Sequence, residues 1–378
     1  MKIIVDENIP LGEEAFSEFG EVLLLNGRKI NNEICKNADV LIVRSITCIN
    51  EKLLSGTKIK YIGSATTGTD HVDIEYLAEK GIYFFSAAGC NSFSVSEYVW
   101  SAIITIANQQ KISLKDMTLG IIGVGNIGSK VARAAEALDF EVIKNDPPLQ
   151  KLFGSDEYCS LDDALSADII TLHVPLNMTG IDRTFHLIDS DTLDKIKPGA
   201  VLINSSRGSV IDNLSLKKRL VNNKNIFAVL DVWENEPQID VDLLELVNIG
   251  TAHVAGYSLE GKVNGTVMVY NDLCKFLNIS PLWKPTFPPV ENDLVEINEA
   301  TEIEEALYKI FERAYNINID NNLLKKSEQL NVYEQPRYFD ELRKNYKVRR
   351  ELNNYIVRFK GKNEAVIKKL EALRLKIQ

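Results

Sequence analysis

With 378 residues, 45% of them hydrophobic and 25% charged, the chain is long enough for two or three domains with sizeable cores. Its net charge of −10 argues against non-specific binding to nucleic acid or to an anionic membrane, while leaving room for a local basic pocket. The five cysteines (Cys35, Cys48, Cys90, Cys159 and Cys274) form no C-x-x-C pair and the four histidines show no metal-ligand spacing, so a reduced compartment and no metal are expected.

A strand pattern opens the chain at 2–5 and no signal segment is visible. The longest apolar run, near 98–107, is too short to span a bilayer, so a cytoplasmic protein without membrane contact is expected. Strand patterns at 2–5, 22–25, 40–43, 59–62 and 82–85 alternate with amphipathic segments, which predicts a small parallel α/β unit over residues 1–93. Two polar loops follow strands: Arg44-Ser45-Ile46-Thr47, and 64–70 with Thr66. Ligands in open α/β sheets lie at the carboxyl ends of strands, so the hydroxyls, backbone N–H groups and Arg44 suit a carboxylate or phosphate. Ordinary turn and cap chemistry, with Thr69 or Asp70 capping a helix, is the other reading. Cys90 reads as a small packed residue.

Ser94-Val95-Ser96-Glu97 has the form of a capping box and predicts the start of a long helix crossing into a second domain. The strand pattern at 119–122 then runs into Gly123-Val124-Gly125-Asn126-Ile127-Gly128, a helix pattern to residue 138, a strand at 141–144 and Asp146. The three glycines differ in what they allow. Gly123 suits the tight turn, Gly125 the close approach of a pyrophosphate, and Gly128 the packing of helix on strand. The helix N-terminus favours phosphate, and Asp146 suits a ribose 2′-hydroxyl while repelling a 2′-phosphate. The segment therefore predicts a doubly wound Rossmann domain binding NAD rather than NADP, with Gly123, Gly125, Asn126, Ile127, Gly128 and Asp146 on the cofactor.

Four later strand patterns end in polar residues: 168–172 in His173-Val174-Pro175, 200–203 in Asn204-Ser205-Ser206-Arg207-Gly208, 227–230 in Asp231 to Pro237, and 247–250 in Thr251 to Tyr257. A cation, two acids and a histidine thus fall on one edge of one sheet, where a nicotinamide would lie. Hydride transfer from an alcohol needs this set. His253 would take or return the hydroxyl proton, and Glu236 would orient its ring and stabilise the imidazolium form. Arg207 would grip a substrate carboxylate and polarise the carbonyl oxygen. Asp231 would hold the nicotinamide carboxamide. His173 lies where it could line the cofactor cleft; His71 and His186 read as structural.

The fingerprint, Asn204-Ser205-Ser206-Arg207-Gly208, Asp231-Val232 with Glu236-Pro237, and His253-Val254-Ala255-Gly256 together resemble the D-isomer-specific 2-hydroxyacid dehydrogenases. The resemblance spans essentially the whole chain, most weakly after residue 287. It implies Arg207, Glu236 and His253 as catalytic residues, Ser45, Thr66 and Tyr257 on substrate, and Asp146, Asp231 and Gly256 on NAD. Val174 stands where relatives often carry a cofactor-contacting threonine. Segments such as 43–47, 68–73 and 253–262 are similar to a branch that oxidises 4-phospho-D-erythronate to 2-oxo-3-hydroxy-4-phosphobutanoate, toward pyridoxal phosphate. Two other readings stay open: another phosphorylated 2-hydroxyacid dehydrogenase, such as one for D-3-phosphoglycerate, and an NAD-sensing binding protein on the same scaffold.

A helix pattern at 259–277 returns to the first domain, and Pro281, Pro285, Pro288 and Pro289 form a linker. The domains expected are a discontinuous, flavodoxin-like α/β substrate (lid) domain, 1–93 with 258–285, the Rossmann domain, 94–257, and a small α+β domain, 286–378. In the family such a C-terminal domain makes a homodimer; a regulatory module is the alternative. Arg343, Arg349 and Arg350 read as interface ion pairs or a solvated face, with phosphate contacts as the functional option.

Overall fold

A computed structural model describes residues 1–222, 225–361 and 363–378. The chain falls into two compact units, Met1–Asn91 with Ser258–Pro289, and Ser92–Tyr257 with Val290–Gln378.

The first unit is built on five parallel strands: β1 (Lys2–Asp6), β2 (Glu21–Leu25), β3 (Val40–Val43), β4 (Tyr61–Ser64) and β5 (Tyr83–Ser86). Their order, β2-β1-β3-β4-β5, is that of flavodoxin-like sheets. β3 is four consecutive buried aliphatic residues because helices cover both faces, as parallel sheets require. The Leu259–Phe276 helix covers one face: Val269, Tyr270, Leu273 and Cys274 join Ile3, Val5, Ile42 and Tyr61 in one core. The cap of the Ile74–Lys80 helix is Asp73, which accepts from Tyr76 N–H at 3.0 Å, and not Thr69 or Asp70.

The second unit carries six parallel strands: β6 (Thr118–Ile122), β7 (Glu141–Asn145), β8 (Ile169–Leu172), β9 (Val201–Asn204), β10 (Phe227–Leu230) and β11 (Ile249–Gly250). Their order is β11-β10-β9-β8-β6-β7. The chain winds outward from β6 in both directions, so the fingerprint loop after β6 lies at the switch point where ligands bind in such sheets.

The C-terminal residues add a parallel three-stranded sheet, β12 (Leu294–Asn298), β13 (Ile356–Lys360) and β14 (Lys376–Ile377), with the helices Ile303–Ala314, Ile317–Lys325, Gln335–Lys344 and Glu364–Ala372. Ala306, Leu307, Ile310 and Phe311 pack with Tyr98, Val99 and Ile103 of the Ser92–Gln110 helix in a single core that also holds β6 side chains. Burying one such side chain contributes about 1.5–3 kcal/mol. That explains why residues 92–107 of this helix are almost all buried: the sheet takes one side and the C-terminal helices the other. Among the described residues no helix is long and apolar enough to cross a membrane.

The expected capping box is not formed. The helix begins two residues earlier, at Ser92, and places Ser94 and Glu97 inside it. Both side chains have distant partners instead: Ser94 Oγ donates to the Ala255 carbonyl at 3.0 Å, and Glu97 accepts from Leu352 N–H at 2.9 Å.

Candidate active site

β9, β10 and β11 are parallel neighbours paired through Leu230 to Asn204 and to Gly250, so the loops that follow them emerge side by side. On these loops stand Arg207, Glu236 and His253. Glu236 and His253 meet directly, His253 Nδ1 donating to Glu236 Oε2 at 2.7 Å. The other carboxylate oxygen, Oε1, accepts from Trp233 N–H at 2.9 Å, which fixes the acid. With Nδ1–H committed, Nε2 is the nitrogen left to exchange a proton. Burial alone would push the Glu236 carboxyl up. The charge and hydrogen bond of His253, the Trp233 amide and the Arg343 cation outweigh it and hold Glu236 below the ordinary carboxylate value.

His253 has φ +55°, a left-handed backbone that costs a non-glycine residue about 1–3 kcal/mol and persists only where neighbours over-determine it. Asp231 does much of that. It is 1% exposed, and its carboxylate accepts from Thr251 Oγ1 at 2.6 Å, Val254 N–H at 2.8 Å and Ala255 N–H at 2.9 Å. Its carbonyl takes His253 N–H at 2.7 Å. Burial is the largest influence on Asp231 and raises its carboxyl despite these donors. Asp231 is thus first the anchor of the His253 loop. Any bond to a nicotinamide carboxamide would use the lone pair those three donors leave.

The Arg207 loop is tied by Asn204, whose amide donates to the Arg207 carbonyl at 2.9 Å while its Oδ1 accepts from Ser206 N–H at 3.0 Å and Ser206 Oγ at 2.8 Å. Gly208 sits against the backbone of the next loop: a Cβ there would lie 2.0 Å from Trp233 C and O. Only glycine lets the loops bearing Arg207 and Glu236 touch. Arg207 is partly exposed, and its Nη1 donates to the Ser206 carbonyl at 2.9 Å.

The fingerprint fits a dinucleotide on three observations. Gly123 has φ +89° and a Cβ there would strike the His173 carbonyl at 2.7 Å, so this turn needs glycine. A Cβ on Gly128 would lie 2.0 Å from the Gly123 carbonyl, whereas one on Gly125 would have nothing within 4 Å. Close packing around open space is what approach of a pyrophosphate requires. Asn126 is exposed, Ile127 and Gly256 are partly exposed, and Val174 packs beside Gly123. Asp146 accepts from Val124 N–H at 2.8 Å and caps the Pro147–Phe153 helix through Leu149 N–H at 3.0 Å, so its carboxylate is fixed next to the fingerprint. His173 Nε2 lies 3.0 Å from Thr171 Oγ1, and burial pulls its pKa down to about 3, leaving the ring neutral.

His186 is not idle. Its Nε2 lies 2.7 Å from Glu234 Oε1, and Glu234 Oε2 accepts from Asn213 N–H at 3.2 Å. His186, Asp212 and Glu234 bring a ligand atom each within 4.8 Å of one another. Asp212 spends its oxygens on Leu214 N–H, Ser215 N–H and Ser215 Oγ at the start of the Asn213–Asn222 helix, while His186 and Asn213 tie Glu234 and with it the loop after β10.

In the first unit Arg44 and Ser45 follow β3, and Thr66 follows its neighbour β4. Arg44 Nε lies 3.2 Å from the fully buried Asp6, and Thr66 Oγ1 lies 2.9 Å from Ser64 Oγ. Tyr257 belongs to the second unit, where the Arg343 guanidinium lies 5.7 Å from its ring. Arg349 and Arg350 are not a solvated face, being 3% and 7% exposed. Trp233, Thr251 and Arg349 carry much of the site's framework without any local motif to announce them; the hydroxyl two residues before His253 was the one available hint.

A model of the D-isomer specific 2-hydroxyacid dehydrogenase NAD binding domain matches residues 94–255, and one described as a domain of unknown function (DUF3410) matches residues 286–373. Erythronate-4-phosphate dehydrogenase of Salmonella arizonae is 42% identical over 360 residues, covering 94% of each chain. The enzyme of that name from Pseudomonas fluorescens is 39% identical over 376 residues, 99% of each chain. Among solved structures, the D-lactate dehydrogenase of Aquifex aeolicus complexed with NAD and lactic acid is similar with TM-score 0.59 and 25% identity, over 74% of this chain and 96% of that one. The NAD+-bound 3-phosphoglycerate dehydrogenase of Entamoeba histolytica is similar with TM-score 0.62 and 25% identity, over 74% and 95%. This chain belongs to the erythronate-4-phosphate dehydrogenase family of NAD-dependent D-isomer-specific 2-hydroxyacid dehydrogenases.

Proposed function

We propose that the chain oxidises 4-phospho-D-erythronate at C2 to 2-oxo-3-hydroxy-4-phosphobutanoate, in the cytoplasm, as a step toward pyridoxal phosphate. The relatives that cover nearly the whole chain carry that substrate in their name. The observation that carries the chemistry is the 2.7 Å contact between His253 Nδ1 and Glu236, beside a loop that presents Arg207. His253 Nε2 takes the C2 hydroxyl proton, and Glu236 stabilises the imidazolium that results. Arg207 holds the substrate carboxylate and favours negative charge developing on the C2 oxygen. NAD, held by Gly123 to Gly128 with Asp146 on the ribose and Val174, Asp231 and Gly256 nearby, supplies the hydride acceptor. Arg44, Ser45, Thr66 and Tyr257 contact the substrate. Positioned acid–base catalysis of this kind contributes about 10²–10⁴-fold.

The C-terminal domain makes a homodimer in this proposal; sedimentation equilibrium of the full chain tests it, and a monomer at micromolar concentration would refute it. Turnover of 4-phospho-D-erythronate against 3-phospho-D-glycerate tests the substrate. A kcat/KM at least tenfold higher on the first is expected, and a preference for the second reassigns the substrate while keeping the chemistry.

A further inference from the structure

The last ninety or so residues match a model with no assigned function. We infer that Arg349, supplied by this segment, is a positioning residue for His253, and so makes the C-terminal domain part of the catalytic machinery in cis. The inference rests on the reading of His253 as the acid–base.

His253 holds a left-handed backbone, and Asp231 grips its loop through its carbonyl on His253 N–H and its carboxylate on the amides of Val254 and Ala255 and the hydroxyl of Thr251. Those bonds leave the Ala255 carbonyl to other donors. Arg349 Nη2 donates to that carbonyl at 2.8 Å and to the Ser94 carbonyl at 2.7 Å, and also hydrogen-bonds Ser94 Oγ. Ser94 Oγ donates to the same Ala255 carbonyl at 3.0 Å. Ala255 is therefore held at its N–H by a buried carboxylate and at its C=O by a buried guanidinium, two residues from His253. Arg349 is in turn fixed: its Cζ lies 4.2 Å from the Tyr315 ring centre, and it is 3% exposed. A strained backbone at a reacting residue needs such over-determination. Lysine, a strongly hydrated point charge without the planar face that lies over Tyr315, would not be held on these acceptors in the same way.

Arg349→Lys and Arg349→Met test the role on the full-length enzyme with NAD. In both, kcat is expected to fall about 10–100-fold, with KM and the NAD dissociation constant within about threefold of wild type. The readout a merely structural role would not move is the imidazole ¹⁵N spectrum, with His253 assigned by its loss in His253→Ala. Wild type should show distinct Nδ1–H and Nε2 signals, and Arg349→Met should show them averaged, because the ring no longer stays on Glu236. Ser94→Ala, which removes one donor to Ala255 without touching a charge, should give a smaller effect of the same kind and keeps the test open if Arg349→Met does not fold. Unchanged kcat, or reduced kcat with the His253 signals still distinct, overturns the inference. Full activity in His253→Ala overturns the proposed chemistry instead.

Discussion

Gly208→Ala tests whether the site depends on two loops touching. The added Cβ would lie 2.0 Å from Trp233 C and O and 2.6 Å from Glu234 N, all backbone atoms that no rotamer change can move. Contacts under 3.0 Å essentially never occur for a Cβ, so the Arg207 loop and the Glu236 loop must part by about 1 Å at least. Overpacking of this kind costs about 1–3 kcal/mol. For a unit of this size that lowers Tm by roughly 2–4 °C per kcal/mol. The effect on chemistry should be larger than the effect on stability, since a displacement of about 1 Å between reacting groups lowers rate about 10²-fold. NADH absorbance gives kcat and KM, and calorimetry gives Tm. Gly125→Ala is the matched control: its Cβ meets nothing within 4 Å, so Tm without cofactor should stay unchanged while NAD affinity falls. Wild-type kcat/KM and Tm in Gly208→Ala would refute the claim that this contact sets the distance between Arg207 and Glu236.

Three further outcomes are expected. His253→Ala should lower turnover by at least about 10²-fold while leaving NAD affinity, measured by fluorescence titration, nearly intact; normal turnover would remove the proposed acid–base. Asp146→Ala should relax the rejection of NADP and also cost about 0.5–2 kcal/mol, because the cap on Leu149 N–H is lost with the ribose contact; an unchanged ratio of kcat/KM for the two cofactors counts against the ribose role. Glu236 has a native pKa held below the ordinary 4.5, so the stability it contributes is fully present above that value and is lost as pH falls through the lowered one. The urea-midpoint gap between wild type and Glu236→Gln should therefore be wider near about pH 5 than near about pH 3, and the reverse order would mean that the carboxylate is not stabilised in the native state.

The fold was largely legible because parallel strands buried on both faces announce themselves. β3 and β10 are short runs of apolar residues whose ends match the observed strands. The fingerprint was legible because Gly123 and Gly128 meet backbone a few residues along the chain or at an adjacent strand end, while Gly125 faces open space. Short elements that hang on tertiary contacts were not. The Pro147–Phe153 helix opens on two prolines and shows no apolar periodicity to announce it, and proline is well placed in a first helical turn only once Asp146 caps it. The Ile317–Lys325 helix, which meets Gly250 N–H through Asn321 and the shared core through Ile317, and the two-residue strand β14, which pairs with β13, rest on partners elsewhere.

The site divides along the same physical line. Arg207, Glu236 and His253 could be read because parallel strands deliver their carboxyl ends to one edge, so loop identity alone predicts neighbours. What holds those loops in place could not. Ser94 and Glu97 have the spacing of a capping box, yet a hydroxyl and a carboxylate bond whichever donor or acceptor folding brings nearest. Here that is Ala255 and Leu352, 161 and 255 residues away along the chain. Arg349 looks in sequence like one of a pair of surface cations, and only its burial against Tyr315 and Ala255 shows otherwise. Residues proposed to react are thus placed by the order of parallel strands, which local pattern records. The groups that position them are constrained by geometry, which many residue types could satisfy and which leaves no signature until the chain has folded.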